Sequence, residues 1–223
     1  MSKTLGVGKP LIDYIHSVGV REHPALARCR RETQAGAQGS LQISPEQGAF
    51  MALVAQATAA RRALEVGVFT GYSAMAVALA MQAVHGSRAE LVACELSAEL
   101  IETATGYWRE AGVEHVVRPI IGPALDTLAT LRAQGQANSF DFIFIDADKL
   151  QYEAYYEAAL TLVRPGGLLL FDNMLWGGLA ADEAYRTPKT LAIRALSKRI
   201  YEDERVDMTL ATIGDGIAMV IKR

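Results

Sequence analysis

Hydrophobic and polar positions alternate along most of this chain in blocks of two kinds. From Arg62 onward, short apolar runs predict strands over 63–68, 90–95, 116–121, 140–146 and 167–172, and the amphipathic stretches between them predict helices over 72–83, 99–111, 124–134 and 151–162. Strands that alternate with helices imply right-handed βαβ units and a parallel sheet covered on both faces. The tail departs from this rhythm. After a helix over 190–201, apolar runs at 206–213 and 216–222 meet through Gly214-Asp215-Gly216, a hairpin signal, so the sheet is expected to end in an antiparallel pair. Residues 1–60 read as amphipathic helices broken by a Gly- and Gln-rich segment at 34–42, an accessory layer on a core of 61–223. Pro165-Gly166-Gly167 reads as a helix stop and turn. The chain shows no internal repeat and no low-complexity tract.

Two acidic clusters sit where strongly apolar strands stop: Asp146-Ala147-Asp148-Lys149 after FDFIFI, and Asp172-Asn173 after GLLLF. Carboxyl ends of parallel strands are the edge where open α/β sheets place ligands. If the two strands are neighbours, their tips lie about 4.8 Å apart. Asp146, Asp172 and Asn173 could then share one cation beside Lys149. Taken singly, these residues have simpler readings: Asp146 and Asp148 as helix caps, Asp172-Asn173 as turn formers, Lys149 as a solvated lysine.

A second signal lies on the same predicted edge. In EVGVFTGYS at 65–73, Gly67 and Gly71 allow a tight strand-to-helix turn where backbone N–H groups can approach a ligand, and Glu95 ends the next strand in position to accept hydrogen bonds from a ribose. The E-x-G-x-x-x-G spacing lacks the G-x-G-x-x-G that seats a pyrophosphate, and a carboxylate at Glu65 repels a diphosphate while tolerating a sulfonium cation. Both points favour S-adenosylmethionine over a nicotinamide dinucleotide. The plainer alternative is a structural turn with Glu65 exposed.

With 223 residues, 51% of them hydrophobic, the chain can bury the core of one large domain. Its formal charge of −3 is interspersed, without a basic block, so neither a membrane surface nor a large nucleic-acid footprint is expected; Arg21, Arg28, Arg30 and Arg31 form only a modest cluster. Cys29 and Cys94 are too few and too far apart for a disulfide scaffold or a C-x-x-C motif, which fits buried thiols in a reducing cytoplasm. Residues 1–15 do not read as a signal peptide, and the longest apolar stretch, 74–83, is too short to span a membrane. Tyr152, Tyr155 and Tyr156 read as packing residues, Phe50 and Met51 as core, and the four histidines show no ligand spacing.

Together EVGVFTGYS (65–73), DFIFIDADK (141–149), RPGGLLLFDNMLWGG (164–178) and GDGIAM (214–219) make the chain resemble the cation-dependent O-methyltransferases of the caffeoyl-CoA and catechol type, in particular their bacterial members. REHPAL (21–26) and ISPEQG (43–48) extend the similarity upstream. The resemblance implies a Rossmann-like class I methyltransferase with a seven-stranded, mostly parallel α/β sheet, and a homodimer. It implies Asp146, Asp172 and Asn173 as ligands of a divalent cation, and Lys149 as general base. It also implies Ile43, Glu65, Gly67, Val68, Ser73, Glu95, Ala124 and Asp148 as cofactor contacts, with Asp146 close to cofactor and substrate alike. Lys149, Asn173 and Trp176 would face the substrate, Trp176 in a loop that closes over it. Hard oxygen ligands suit Mg²⁺ first, with Mn²⁺ or Ca²⁺ as alternatives, and vicinal hydroxyls of a catechol-type phenol would complete such a site. Two positions depart from the family: Gln151 stands where Asn is frequent, and 179–189 matches no member. The competing expectations are an O-methyltransferase acting on a hydroxylated base of transfer RNA, a non-catalytic nucleotide-binding protein and, more remotely, a nicotinamide reductase.

Overall fold

The computed structural model describes residues 4–223. Seven strands form one sheet in the order β3-β2-β1-β4-β5-β7-β6. They are β1 (Arg62–Val66), β2 (Glu90–Glu95), β3 (Val117–Ile121), β4 (Phe140–Ile145), β5 (Val163–Phe171), β6 (Val206–Ala211) and β7 (Ile217–Lys222). The first five run parallel, and β7 pairs antiparallel with both β5 and β6. The α/β class, the parallel core and the antiparallel tail therefore stand as the sequence pattern predicts.

Alternation of side chains along each strand divides the core between the two faces of the sheet. Ala63, Leu91, Ala93, Phe142, Phe144, Leu168 and Leu170 point to one face, where they meet helices α2 (Pro24–Ala35), α3 (Pro45–Ala57), α4 (Tyr72–His85) and α5 (Ala98–Glu110). Leu64, Val66, Val92, Ile143, Ile145, Leu169 and Phe171 point to the other, under α6 (Ala124–Ala133), α7 (Tyr152–Leu162) and α8 (Pro188–Tyr201). Helix α1 (Lys9–Gly19) packs on α3. Met51 belongs to the first core and Phe50 packs against it; both cysteines are buried and free. Among the described residues no helix is long and apolar enough to cross a membrane.

Several boundaries move, each for a local reason. Strand β1 stops at Val66, short of the predicted 68, because Gly67 takes a left-handed φ of +91° and leads the chain out of the sheet. Pro165-Gly166-Gly167 makes its turn inside β5 rather than ahead of it. Helix α7 ends at Leu162, Val163 already pairs with Phe140, and pairing resumes at Leu168 with Phe142 after the irregularity. Helix α8 starts two residues before the predicted 190, where Thr187 caps it through the Thr190 N–H at 3.3 Å and Pro188 occupies its first turn.

Candidate active site

Strand register sets the site. Val66 pairs with Ile145 and Ile145 with Phe171, so the residues that follow, Gly67, Asp146 and Asp172, stand side by side at one sheet edge. The Asp146 N–H donates to the Val66 carbonyl at 2.9 Å and the Asp172 N–H to the Ile145 carbonyl at 3.1 Å, which fixes the tips. Above them opens a cleft of about 770 Å³. Its wall takes in Ile43, Gly67, Val68, Ser73, Glu95 and Ala124 at one end and Asp146, Asp148, Lys149, Asn173 and Trp176 toward the other. Of the residues singled out from the sequence, Glu65 and Asp172 alone lie behind this wall instead of in it.

At the first end the loop from Gly67 to Gly71 is tightly fitted. A Cβ on Gly67 would lie 2.0 Å from the Asp146 carbonyl oxygen, and one on Gly71 2.6 Å from the Ala104 side chain. Glu95 holds this loop. One carboxylate oxygen accepts the N–H groups of Val68 (3.1 Å) and Phe69 (3.0 Å), and the other those of Leu96 (2.7 Å) and Ser97 (3.1 Å). Glu65 is 1% exposed and accepts the Ser73 hydroxyl at 2.5 Å. Burial pushes its carboxyl up to about 8, with the Ser73 hydrogen bond opposing and the charges of Asp146 and Glu95 adding to the rise. Glu65 is thus not the exposed residue of the plainer alternative; it braces Ser73 from within. On the far side of the loop a buried polar knot ties it to the N-terminal helices. The Thr70 hydroxyl accepts from Gln42 (3.1 Å) and Thr33 (2.9 Å), while the Cys29 thiol donates to the Thr70 carbonyl (3.5 Å).

At the other end Lys149 is 6% exposed, not solvated, and its Nζ donates to Asp146 Oδ1 (2.8 Å) and to the Tyr152 hydroxyl (2.6 Å). That hydroxyl donates in turn to the Asp172 carbonyl at 2.9 Å. The Asp172 side chain is 3% exposed, and burial first, then the charge of Asp146, push it up to about 7. Lys149, the Asn173 N–H and the Gln47 amide oppose that rise, although Gln47 lies near the carboxyl without reaching full hydrogen-bond geometry. The buried Asp172 thus shares the site with a second carboxylate, Asp146, in a set of hard oxygen donors. Asn173 adds an amide, held with φ +58° by a 3.3 Å hydrogen bond from its Nδ2 to Asp215. Among the described residues no group of three His, Cys, Asp or Glu is gathered closely enough to hold a metal ion; carboxylate and amide oxygens are the donor type that suits a hard cation such as Mg²⁺, not zinc. Asp148 also accepts the Leu150 N–H at 3.3 Å, so its reading as a cap holds alongside its place in the wall.

Sequence reasoning missed three contributors. Tyr152, read as packing, carries the link between Lys149 and Asp172. Asp215, read only as part of a hairpin turn, lines the cleft and holds both Asn173 and the Gly177 N–H (2.6 Å). Gln47 sits inside ISPEQG, a motif noted for its resemblance alone. Trp176 lines the cleft and also packs against the second core.

The O-methyltransferase family profile matches residues 16–223. The probable caffeoyl-CoA O-methyltransferase 1 of Dictyostelium discoideum is 43% identical over 178 residues, covering 79% of this chain and 76% of that protein. The catechol O-methyltransferase domain-containing protein 1 of Mus musculus is 38% identical over 96% of this chain and 80% of its own. Among solved structures, an O-methyltransferase from Bacillus cereus in complex with SAH superposes with a TM-score of 0.86 at 30% identity, covering 96% of this chain and 97% of that one. TomG of Streptomyces achromogenes, in complex with SAM, gives 0.82 at 32% identity over 96% of each chain.

Proposed function

The chain belongs to the O-methyltransferase family, and from that premise we propose that it transfers a methyl group from S-adenosylmethionine to one hydroxyl of a catechol-type small molecule with the help of a divalent cation. The observation that carries this reading is the juxtaposition, in one cleft, of the loop braced by Glu95 with Asp146, Lys149 and Asn173, backed by the buried Asp172. Methyl transfer from a sulfonium is an in-line displacement, so much of the acceleration comes from holding the two reactants in one orientation. The cleft offers an end for each.

At the first end, Ile43, Val68 and Ala124 supply apolar wall, Glu95 supplies acceptor oxygens for a ribose, and the backbone at Gly67 permits close approach. The carboxylates of Asp146 and Asp148 complement a sulfonium and an amino group. At the other end, Asp146, Asp172 and Asn173 would hold the cation, which supplies Lewis-acid stabilisation of a phenolate and a template for vicinal oxygens. A phenol with an ordinary pKa near ~10 must lose its proton to attack at neutral pH. On this reading Lys149 would receive it. As general base it would take up the proton at Nζ, with Tyr152 and Asp146 holding that atom in position. Trp176 covers the ring and excludes water.

The test is to incubate the protein with S-adenosylmethionine and caffeic acid or a caffeoyl ester, with Mg²⁺ and with EDTA, and to weigh the product. A gain of one methyl group with Mg²⁺, lost with EDTA, is the expected result. Tight binding of S-adenosylhomocysteine with no methylated catechol would refute the acceptor class and point to another nucleophile, a hydroxylated transfer-RNA base among them.

A further inference from the structure

The segment 179–189 leads into α8, and residues 181–189 are all exposed, so burial cannot give it a shape. One side chain of α8 ties its turns together. The Arg194 guanidinium donates from Nε to the Ala180 carbonyl (2.8 Å), from Nη1 to that of Tyr185 (2.9 Å), and from Nη2 to those of Leu179 (2.9 Å) and Asp182. All four acceptors are main-chain oxygens, and they converge because the chain winds through successive turns, Ala180 N–H to Leu175, Asp182 N–H to Leu179 and Tyr185 N–H to Asp182. The two ends of the segment belong to the cleft: Trp176 and Gly177 precede it and Lys189 closes it, and all three line the wall beyond Asn173.

We propose that Arg194 is a positioning residue that sets acceptor selectivity, by fixing the loop whose two ends form the acceptor side of the cleft. The inference rests on the reading above that the acceptor occupies the Asn173 to Trp176 end. A planar fork with five N–H groups can serve four carbonyls at once; a lysine ammonium is a compact point with three donors and cannot span them. Retaining the charge alone is therefore insufficient.

The experiment compares wild type with Arg194→Lys and Arg194→Ala. Both variants are expected to raise the acceptor KM by about tenfold and to blur discrimination between a small and a bulky catechol, with kcat changed by no more than about threefold and S-adenosylhomocysteine affinity unchanged. Two readouts need no activity. Trypsin should cut after Arg186 faster in both variants, and acrylamide should quench Trp176 more strongly while buried Trp108 stays protected. An unaltered acceptor KM, or full rescue by lysine, would overturn the proposal. So would equal losses in cofactor and acceptor binding, which would mark a merely structural role. If wild type methylates no catechol, the reading of the acceptor fails by that control alone, and unchanged cleavage and quenching would then overturn the loop-fixing role separately. Should Arg194→Ala fail to fold, Arg194→Lys carries the same comparisons.

Discussion

Replacing Glu65 by Gln tests the electrostatics beneath the Gly67–Gly71 loop. In the folded chain the carboxyl is pushed from its ordinary 4.5 up to about 8, chiefly by burial. Below pH 4.5 it is neutral in both folded and unfolded chains, and its full contribution to stability is present. As pH rises from 4.5 toward 8 the unfolded chain releases the proton and the folded chain does not, so stability falls; above 8 both have released it and the loss is complete. At 1.36 kcal/mol for each pH unit of separation, the loss approaches about 5 kcal/mol, most of it between pH 5 and 9. Gln is neutral throughout, keeps the shape and can still pair with the Ser73 hydroxyl. Asp172, also raised, titrates in both proteins and cancels in the comparison. Urea unfolding without cofactor, followed by tryptophan fluorescence at pH 5, 7 and 9, should show the Glu65→Gln variant gaining on wild type by about 3–4 kcal/mol from the lowest to the highest pH. With a urea slope near ~2 kcal/mol per molar, the relative midpoint should move by about 1.5–2 M. Parallel pH dependence in the two proteins would refute the argument that Glu65 is buried as a neutral acid.

Tyr152→Phe removes the hydroxyl that accepts from Lys149 and donates to the Asp172 carbonyl, leaving two buried partners unmet; a loss of about 1–3 kcal/mol is expected, read as a fall of several degrees in Tm, and an unchanged Tm would mean that water replaces the hydroxyl. Gly67→Ala combines a strained φ with a Cβ driven onto the Asp146 carbonyl, so calorimetry should show S-adenosylhomocysteine affinity falling by at least about tenfold while the circular dichroism of the sheet persists. Wild-type affinity in that variant would mean that the loop relaxes without consequence.

The parts of this protein legible in its sequence are those set by backbone periodicity. FDFIFI and GLLLF announce central strands because they are apolar on both faces, and once β4 and β5 are neighbours the adjacency of Asp146 and Asp172 follows from register alone. The Gly-x-x-x-Gly loop was legible because Gly67 needs a left-handed φ that other residues avoid. What escaped depends on contacts distant in the chain. Nothing local to Tyr152 reveals that its hydroxyl reaches Asp172, since an aromatic at that spacing on a helix is ordinarily core. Asp215 reaches Asn173 across 42 residues, and only the folded β5 and β7 pairing brings them together. Arg194 likewise looks like a helix surface residue until the loop before α8 wraps around it.

Glu95 gathers four main-chain N–H groups from two loops. On the proposed reading these bonds shape the end of the cleft that takes the nucleoside, a mould that fits it equally before and after reaction. A mould of this kind cannot by itself tell fresh cofactor from spent. The distinction falls to the acidic wall at Asp146 and Asp148, which faces a positively charged sulfur at the start of the cycle and a neutral one at its end. On that reading the carboxylates attract the charged cofactor more than its neutral product, so the reaction itself would weaken their hold.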